Sequence, residues 1–136
     1  MADVLVVEAA PLVRDMISEA MEEAGLGVTA VDSAEAALAA TEMAPRPPDV
    51  LVTAILLGQG DMDGFGLSAL LRHRWSDLGV IYLAEHPTLL PDNALDAHER
   101  CLPKPFEPAR LVKLVCELVP PCPNPPRLIR GRVVIR

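Results

Sequence analysis

Few side chains in this chain are both chemically capable and grouped closely enough to act together. Asp61 and Asp63 stand in the loop Gly58-Gln59-Gly60-Asp61-Met62-Asp63-Gly64, where, with Glu8, they could offer hard oxygen ligands to a cation. A solvated polar loop is the plainer reading of the same residues. His73, His86 and His98 are scattered without a mutual spacing and read as surface histidines rather than a metal or catalytic set. Cys101, Cys116 and Cys122 are odd in number and in no metal-ligand spacing, so they read as reduced thiols, buried or incidental. Trp75 ends a helical pattern and reads as packing rather than as a binding anchor.

The elements that position these residues follow from composition and periodicity. The 136 residues suit one domain with one core. Hydrophobic residues make up 51% but aromatics only 3%, so Val, Leu, Ile, Ala and Met must build that core. The net charge is −7, although Arg127, Arg130, Arg132 and Arg136 lie in a final stretch without acids, so the rest is more acidic still. An acidic body argues against a broad nucleic-acid surface. No apolar run approaches the roughly 18 residues of a membrane span, and Met1-Ala2-Asp3 lacks the basic start of a secretory signal. The expectation is a cytoplasmic protein with no membrane partner.

Val4-Leu5-Val6-Val7 is an all-apolar run suited to a strand buried on both faces. Pro11 opens a helix in which Leu12, Val13, Met16, Ile17, Ala20, Met21 and Ala24 recur at helical spacing, and Gly25 closes it. Gly27–Val31 reads as the second strand. Asp32 or Ser33 caps an Ala-rich helix over about 34–44, with Glu35 placed as in a capping box begun at Asp32. Val50–Leu57 reads as the central strand. A third helix runs from about Phe65 to Trp75, with Leu67, Leu70 and Leu71 on its apolar face. Gly79–Leu83 is the fourth strand, 86–98 a weakly periodic helix interrupted by Pro87 and Pro91, and Arg100–Leu102 a short fifth strand. Pro108 starts the last helix.

Strands alternating with helices predict a doubly wound (βα)5, flavodoxin-like fold with a five-stranded parallel sheet. Ligand chemistry in such sheets gathers at the carboxyl ends of the strands. The loops that matter are therefore Glu8–Pro11, Ala54–Asp63, Ala84–Pro87 and Leu102–Phe106.

Those loops carry a resemblance. Val-Leu-Val-Val-Glu-Ala-Ala-Pro-Leu-Val-Arg (4–14), Pro-Asp-Val-Leu-Val-Thr-Ala-Ile (48–55), Met-Asp-Gly-Phe (62–65) and Leu-Pro-Lys-Pro-Phe (102–106) together resemble the receiver domain of bacterial response regulators. Four motifs in order, each at a strand end, cover about residues 3–119. The resemblance implies a two-component phosphorelay module. Its members move a phosphoryl group from a phosphohistidine to an aspartate, with magnesium neutralising charge.

The resemblance also supplies the test of that activity. The phosphoacceptor position falls on Ala54, the acidic pair on Glu8 and Ala9, the hydroxyl position on Ala84, and the switch aromatic on Cys101; only Lys104 is kept. A methyl group cannot attack phosphorus, and one carboxylate is a poor magnesium site. The expectation is a pseudo-receiver with no cofactor, no metal and no catalytic residue, hence not an enzyme. It would signal through protein contacts. An engineered Asp→Ala change would explain Ala54 but not Ala9, Ala84 and Cys101. Two rival readings are a phosphoacceptor at Asp61 or Asp63, and nucleic-acid binding through the arginine tail.

Further expectations follow. Lys104, without an acceptor carboxylate, should turn to Glu8, and the Lys104–Pro105 peptide should be cis as in the family. The partner should be a histidine kinase, phosphotransfer protein or output protein, with homodimerisation available through roughly residues 88–119. Residues 1–120 form the receiver-like domain. Residues 121–136 form a Pro-rich linker and a short basic tail whose Leu128, Ile129, Val133, Val134 and Ile135 favour a strand.

Overall fold

The β-branched, all-apolar runs do become strands buried on both faces. The computed structural model describes residues 2–57, 62–85 and 96–119. Strands β1 (Asp3–Val7), β2 (Gly27–Val31), β3 (Val50–Ala54), β4 (Gly79–Ala84) and β5 (Glu99–Pro103) form one parallel sheet in the order β2-β1-β3-β4-β5. Val4 pairs in register with Val28 on one side and Val50 on the other, and Ala84 with Pro103 at the far edge. Helices α1 (Pro11–Glu23), α2 (Ala34–Met43), α3 (Gly64–Arg74) and α4 (Pro108–Leu118) cover its faces.

Strand alternation sorts the core into two layers. Leu5, Val7, Leu51, Val80 and Tyr82 pack with Leu67 and Leu71 of α3 and Ala37 of α2. Val4, Val6, Val52, Ile81 and Leu83 pack with Ile17 and Met21 of α1 and Leu111 and Val115 of α4. Burying each large aliphatic side chain of these layers contributes roughly 1.5–3 kcal/mol. The strand order reverses between β1 and β3, with β2 laid down on one side and β4 and β5 on the other, so a crevice opens at their carboxyl ends, beside Glu8 and Ala54.

The helix ends obey local chemistry. Pro11 and Pro108 occupy first-turn positions that need no N–H donor. Gly25 takes φ 87°, which lets its N–H reach the Glu22 carbonyl and the Leu26 N–H reach Met21. Ser33, not Asp32, caps α2: its Oγ accepts from the Ala36 N–H at 3.1 Å. Glu35 therefore falls one position short of a capping box.

Two further expectations change. The central strand stops at Ala54 rather than Leu57. The Ile55 N–H makes the last bond to β4, on the Leu83 carbonyl, while its own carbonyl accepts from the Gly64 N–H, so the chain leaves the ladder there, and the apolarity of 55–57 reflects loop packing in which Ile55 and Leu57 are buried. Leu12, Met16 and Leu70 belong to helical apolar stripes but point to solvent. Most of the weak helix expected over 86–98 lies outside the described residues; 96–98 form a turn that leads into β5, closed by the Glu99 N–H on the Asp96 carbonyl. The linker and tail at 121–136 also lie outside them.

Candidate functional site

Glu8 follows β1 directly, and the sheet fixes its backbone: its N–H donates to the Val31 carbonyl at 3.0 Å, and its carbonyl accepts from Arg14 Nη1 at 2.8 Å. Its side chain, only 3% exposed, points inward. Oε2 accepts from the Ala10 N–H at 3.1 Å, and Oε1 lies 2.6 Å from Lys104 Nζ. A carboxylate this buried needs such partners. Lys104 arrives from the opposite side of the crevice, held by its own N–H on the Ala84 carbonyl at 2.8 Å. The Lys104–Pro105 peptide is cis. Glu85 Oε1 lies 3.9 Å from the same ammonium. The expected turn of Lys104 to Glu8 is thus present as a direct ion pair.

The other sequence-derived positions surround this pair. Ala54 is fully buried at the end of β3, and Thr53 Oγ1 donates to its carbonyl at 2.9 Å. Gly64 presses α3 against that carbonyl: a Cβ at 64 would overlap the Ala54 oxygen, which gives the Met-Asp-Gly-Phe motif a steric reason. Ala84 is fully buried at the end of β4, Ala9 is exposed, and Cys101 is half-buried beside Tyr82 on the neighbouring strand. Burial pushes the Cys101 thiol pKa up, which disfavours the reactive thiolate. Val13, Met16, Leu56 and Phe106 line the wide cleft above Glu8 and Lys104.

A magnesium ion does not fit the described residues. It requires several oxygen ligands in octahedral array. Of the positions around the crevice, Ala9 and Ala54 offer no side-chain oxygen, and both Glu8 oxygens are already engaged. Among the described residues, no group of three or more His, Cys, Asp or Glu is placed to hold a metal ion. Asp63 serves elsewhere, as the cap of α3, with Oδ1 accepting from the Gly66 N–H at 2.8 Å. Asp61, His86 and Cys122 lie outside the described residues; His73, His98 and Cys116 are exposed. Trp75 packs against the α2–α3 layer, with the Arg74 guanidinium 4.6 Å from its ring centre.

A second polar cluster was not anticipated. The Tyr82 hydroxyl, buried between the sheet and α3, accepts from Ser68 Oγ and donates to Glu99 Oε2, both at 2.9 Å. Arg72 bridges outward to Glu99 at 3.3 Å and to Asp96 at 2.6 Å. Burial raises the Tyr82 pKa to about 12, with the Ser68 hydrogen bond opposing and the Glu99 carboxylate adding to the rise. The Arg72 hydrogen bond holds the Asp96 carboxyl below its ordinary range. The Phe65 ring stacks at a tilt 4.8 Å from that of Tyr82. One signal in the sequence pointed here: the chain's single tyrosine stands in the middle of an aliphatic strand, and a buried phenol requires a partner.

A parallel sheet in the order 2-1-3-4-5, with a lysine loop facing an acid across its switch point, defines a flavodoxin-like α/β fold. The chain belongs to the response regulator receiver domain family, which it matches over residues 4–116. Comparison with curated proteins gave no match. Among solved structures it resembles a response regulator receiver domain protein of Clostridium thermocellum, with a TM-score of 0.74, 21% identity, and coverage of 87% of this chain and 94% of that one. A receiver protein of Sinorhizobium medicae gives 0.73, 24%, 86% and 93%. A chemotaxis protein of Vibrio cholerae gives 0.71, 23%, 88% and 99%. At such identities these likenesses speak for the fold. No helix among the described residues is long and apolar enough to cross a membrane.

Proposed function

We propose that this receiver domain is a pseudo-receiver: a non-enzymatic, phosphorylation-independent signalling module that acts through protein contacts. The observation that carries the reading is the Glu8–Lys104 ion pair at 2.6 Å beside the buried methyl of Ala54. Phosphoryl transfer to a receiver needs a carboxylate nucleophile, a cation to neutralise the phosphoryl oxygens, and a lysine free to meet them. At the aligned positions Ala54 has no nucleophile, Glu8 stands without a second acid at Ala9, and Lys104 is engaged by Glu8. Ala84 has no hydroxyl to sense a phosphoryl group, and Cys101 has no ring to follow it.

The partner proposed is a histidine kinase, a phosphotransfer protein or an output protein of the cytoplasm, with roughly residues 88–119 as the contact and homodimer surface. The direct test is incubation of the full chain with magnesium and a small-molecule phosphodonor, read by intact mass. The expected result is no phosphoryl adduct. A stoichiometric, acid-stable but base-labile adduct would overturn the proposal, and peptide mapping would then separate Asp61 from Asp63 as the acceptor.

A further inference from the structure

The outer face of α1 exposes two large apolar side chains beside a row of acids. Leu12 is 85% exposed and Met16 37%, although both are large and apolar. They share a shallow groove with Asp15, Glu19, Glu23 and Pro108. Positions 12, 15, 16, 19 and 23 follow helical spacing, so they form a single stripe, apolar at its start and acidic along its length. Asp15, Glu19 and Glu23 are exposed and enter none of the ion pairs among the described residues. No basic residue lines the groove.

We propose that this stripe docks the chain's own C-terminal segment, residues 127–136. Charge complementarity selects that occupant. Arg-Leu-Ile-Arg-Gly-Arg-Val-Val-Ile-Arg carries four arginines and no acid, interleaved with five large aliphatic side chains. It is the only stretch of this acidic chain with that chemistry. Geometry permits the contact. α4 packs on α1, and Leu118 near its end lies against Gly79, at the start of β4. The chain therefore leaves α4 at the amino-terminal end of the strands, the end at which α1 also finishes, since Glu23 precedes β2. Seven residues, 120–126, of which five are proline, connect that point to Arg127. Extended, they reach roughly 22 Å, against the roughly 10 Å between packed helix axes. The ten tail residues can then run the length of α1, roughly 20 Å for 13 residues. Docked so, the aliphatic side chains cover Leu12 and Met16, and the arginines meet the three acids. Met16 lines both this groove and the cleft above Glu8 and Lys104, but the inference does not use the Glu8–Lys104 ion pair and stands or falls apart from it.

Hydrogen exchange on the full chain tests it. Amides of 128–135 should exchange at least about fivefold more slowly than in the isolated 127–136 peptide, independently of protein concentration, and should lose most of that protection at high salt. The double variant Glu19→Arg, Glu23→Arg should bring the tail to the free-peptide rate. If that variant does not fold, Glu19→Gln with Glu23→Gln should reduce the protection in the same direction. Free-peptide exchange in the unmodified chain would overturn the proposal. So would protection that survives both acidic variants, which places the tail elsewhere, or protection that disappears on dilution, which makes the occupant the tail of a second copy.

Discussion

The two polar sites of this receiver domain handle buried charge in opposite ways. At the β1–β3 crevice, a single carboxylate is sealed by a single ammonium, with one backbone N–H in support. On the α3 side of β4 and β5, Tyr82, Ser68, Glu99, Arg72 and Asp96 share their partners, and charge passes outward to exposed Asp96 in steps. Removal of one member should therefore be costly at the first site and graded at the second. Glu8 has no second cation among the described residues, although Lys104 has the more distant, exposed Glu85, whereas the network offers several partners.

Lys104→Met gives the largest expected effect. It leaves the Glu8 carboxylate buried without a counter-ion, which costs about 3 kcal/mol, toward the lower end for broken buried pairs because the lysine side chain is 18% exposed. Urea unfolding should show it. Adding Glu8→Gln should restore most of the loss, since a neutral pair needs no compensating charge. A Lys104→Met cost below that of an exposed pair would remove the contrast.

Tyr82→Phe should cost about 1–2 kcal/mol by the same measurement, because Ser68 and Glu99 lose a buried partner while Arg72 still holds Glu99. The same residue sharpens the comparison through pH. Its folded pKa, about 12, is raised above the ordinary 10. The unfolded chain thus releases the proton first, so the contribution is full below about pH 10 and is lost as pH rises towards 12. Stability of the unmodified chain should fall through that window, and Tyr82→Phe should flatten the fall. At the rim, Asp96→Asn should change stability by about 0.5 kcal/mol or less, because its carboxylate is solvated and salt screens it.

The fold was legible because its signals are strong and local. Val4–Val7 and Val80–Leu83 suit doubly buried strands, Pro11 and Pro108 mark helix starts, and Gly25 marks an end. The Glu8–Lys104 pair was also legible, because the resemblance places the two at the carboxyl ends of strands and Ala54 carries no carboxylate to compete for the lysine. The Tyr82 network was not. Its members come from four segments between residues 68 and 99, and hydrogen-bond geometry rather than spacing joins them. The length of β3 was misjudged for a related reason: Ile55 and Leu57 are apolar because the loop packs inward, and apolarity does not distinguish that from a strand. Leu12 and Met16 were placed in a core stripe that α1 does not bury, since its inward face is already filled by Ile17 and Met21.

The central claim, that the crevice is an ion pair rather than a phosphoryl site, is best tested by amide NMR of the full chain during titration with magnesium and then with a small phosphodonor. The account predicts that the amides of Glu8, Ala54, Ala84 and Lys104 stay in place through both additions at millimolar concentration. Saturable shifts at those four amides, with magnesium alone or after the phosphodonor, would contradict it.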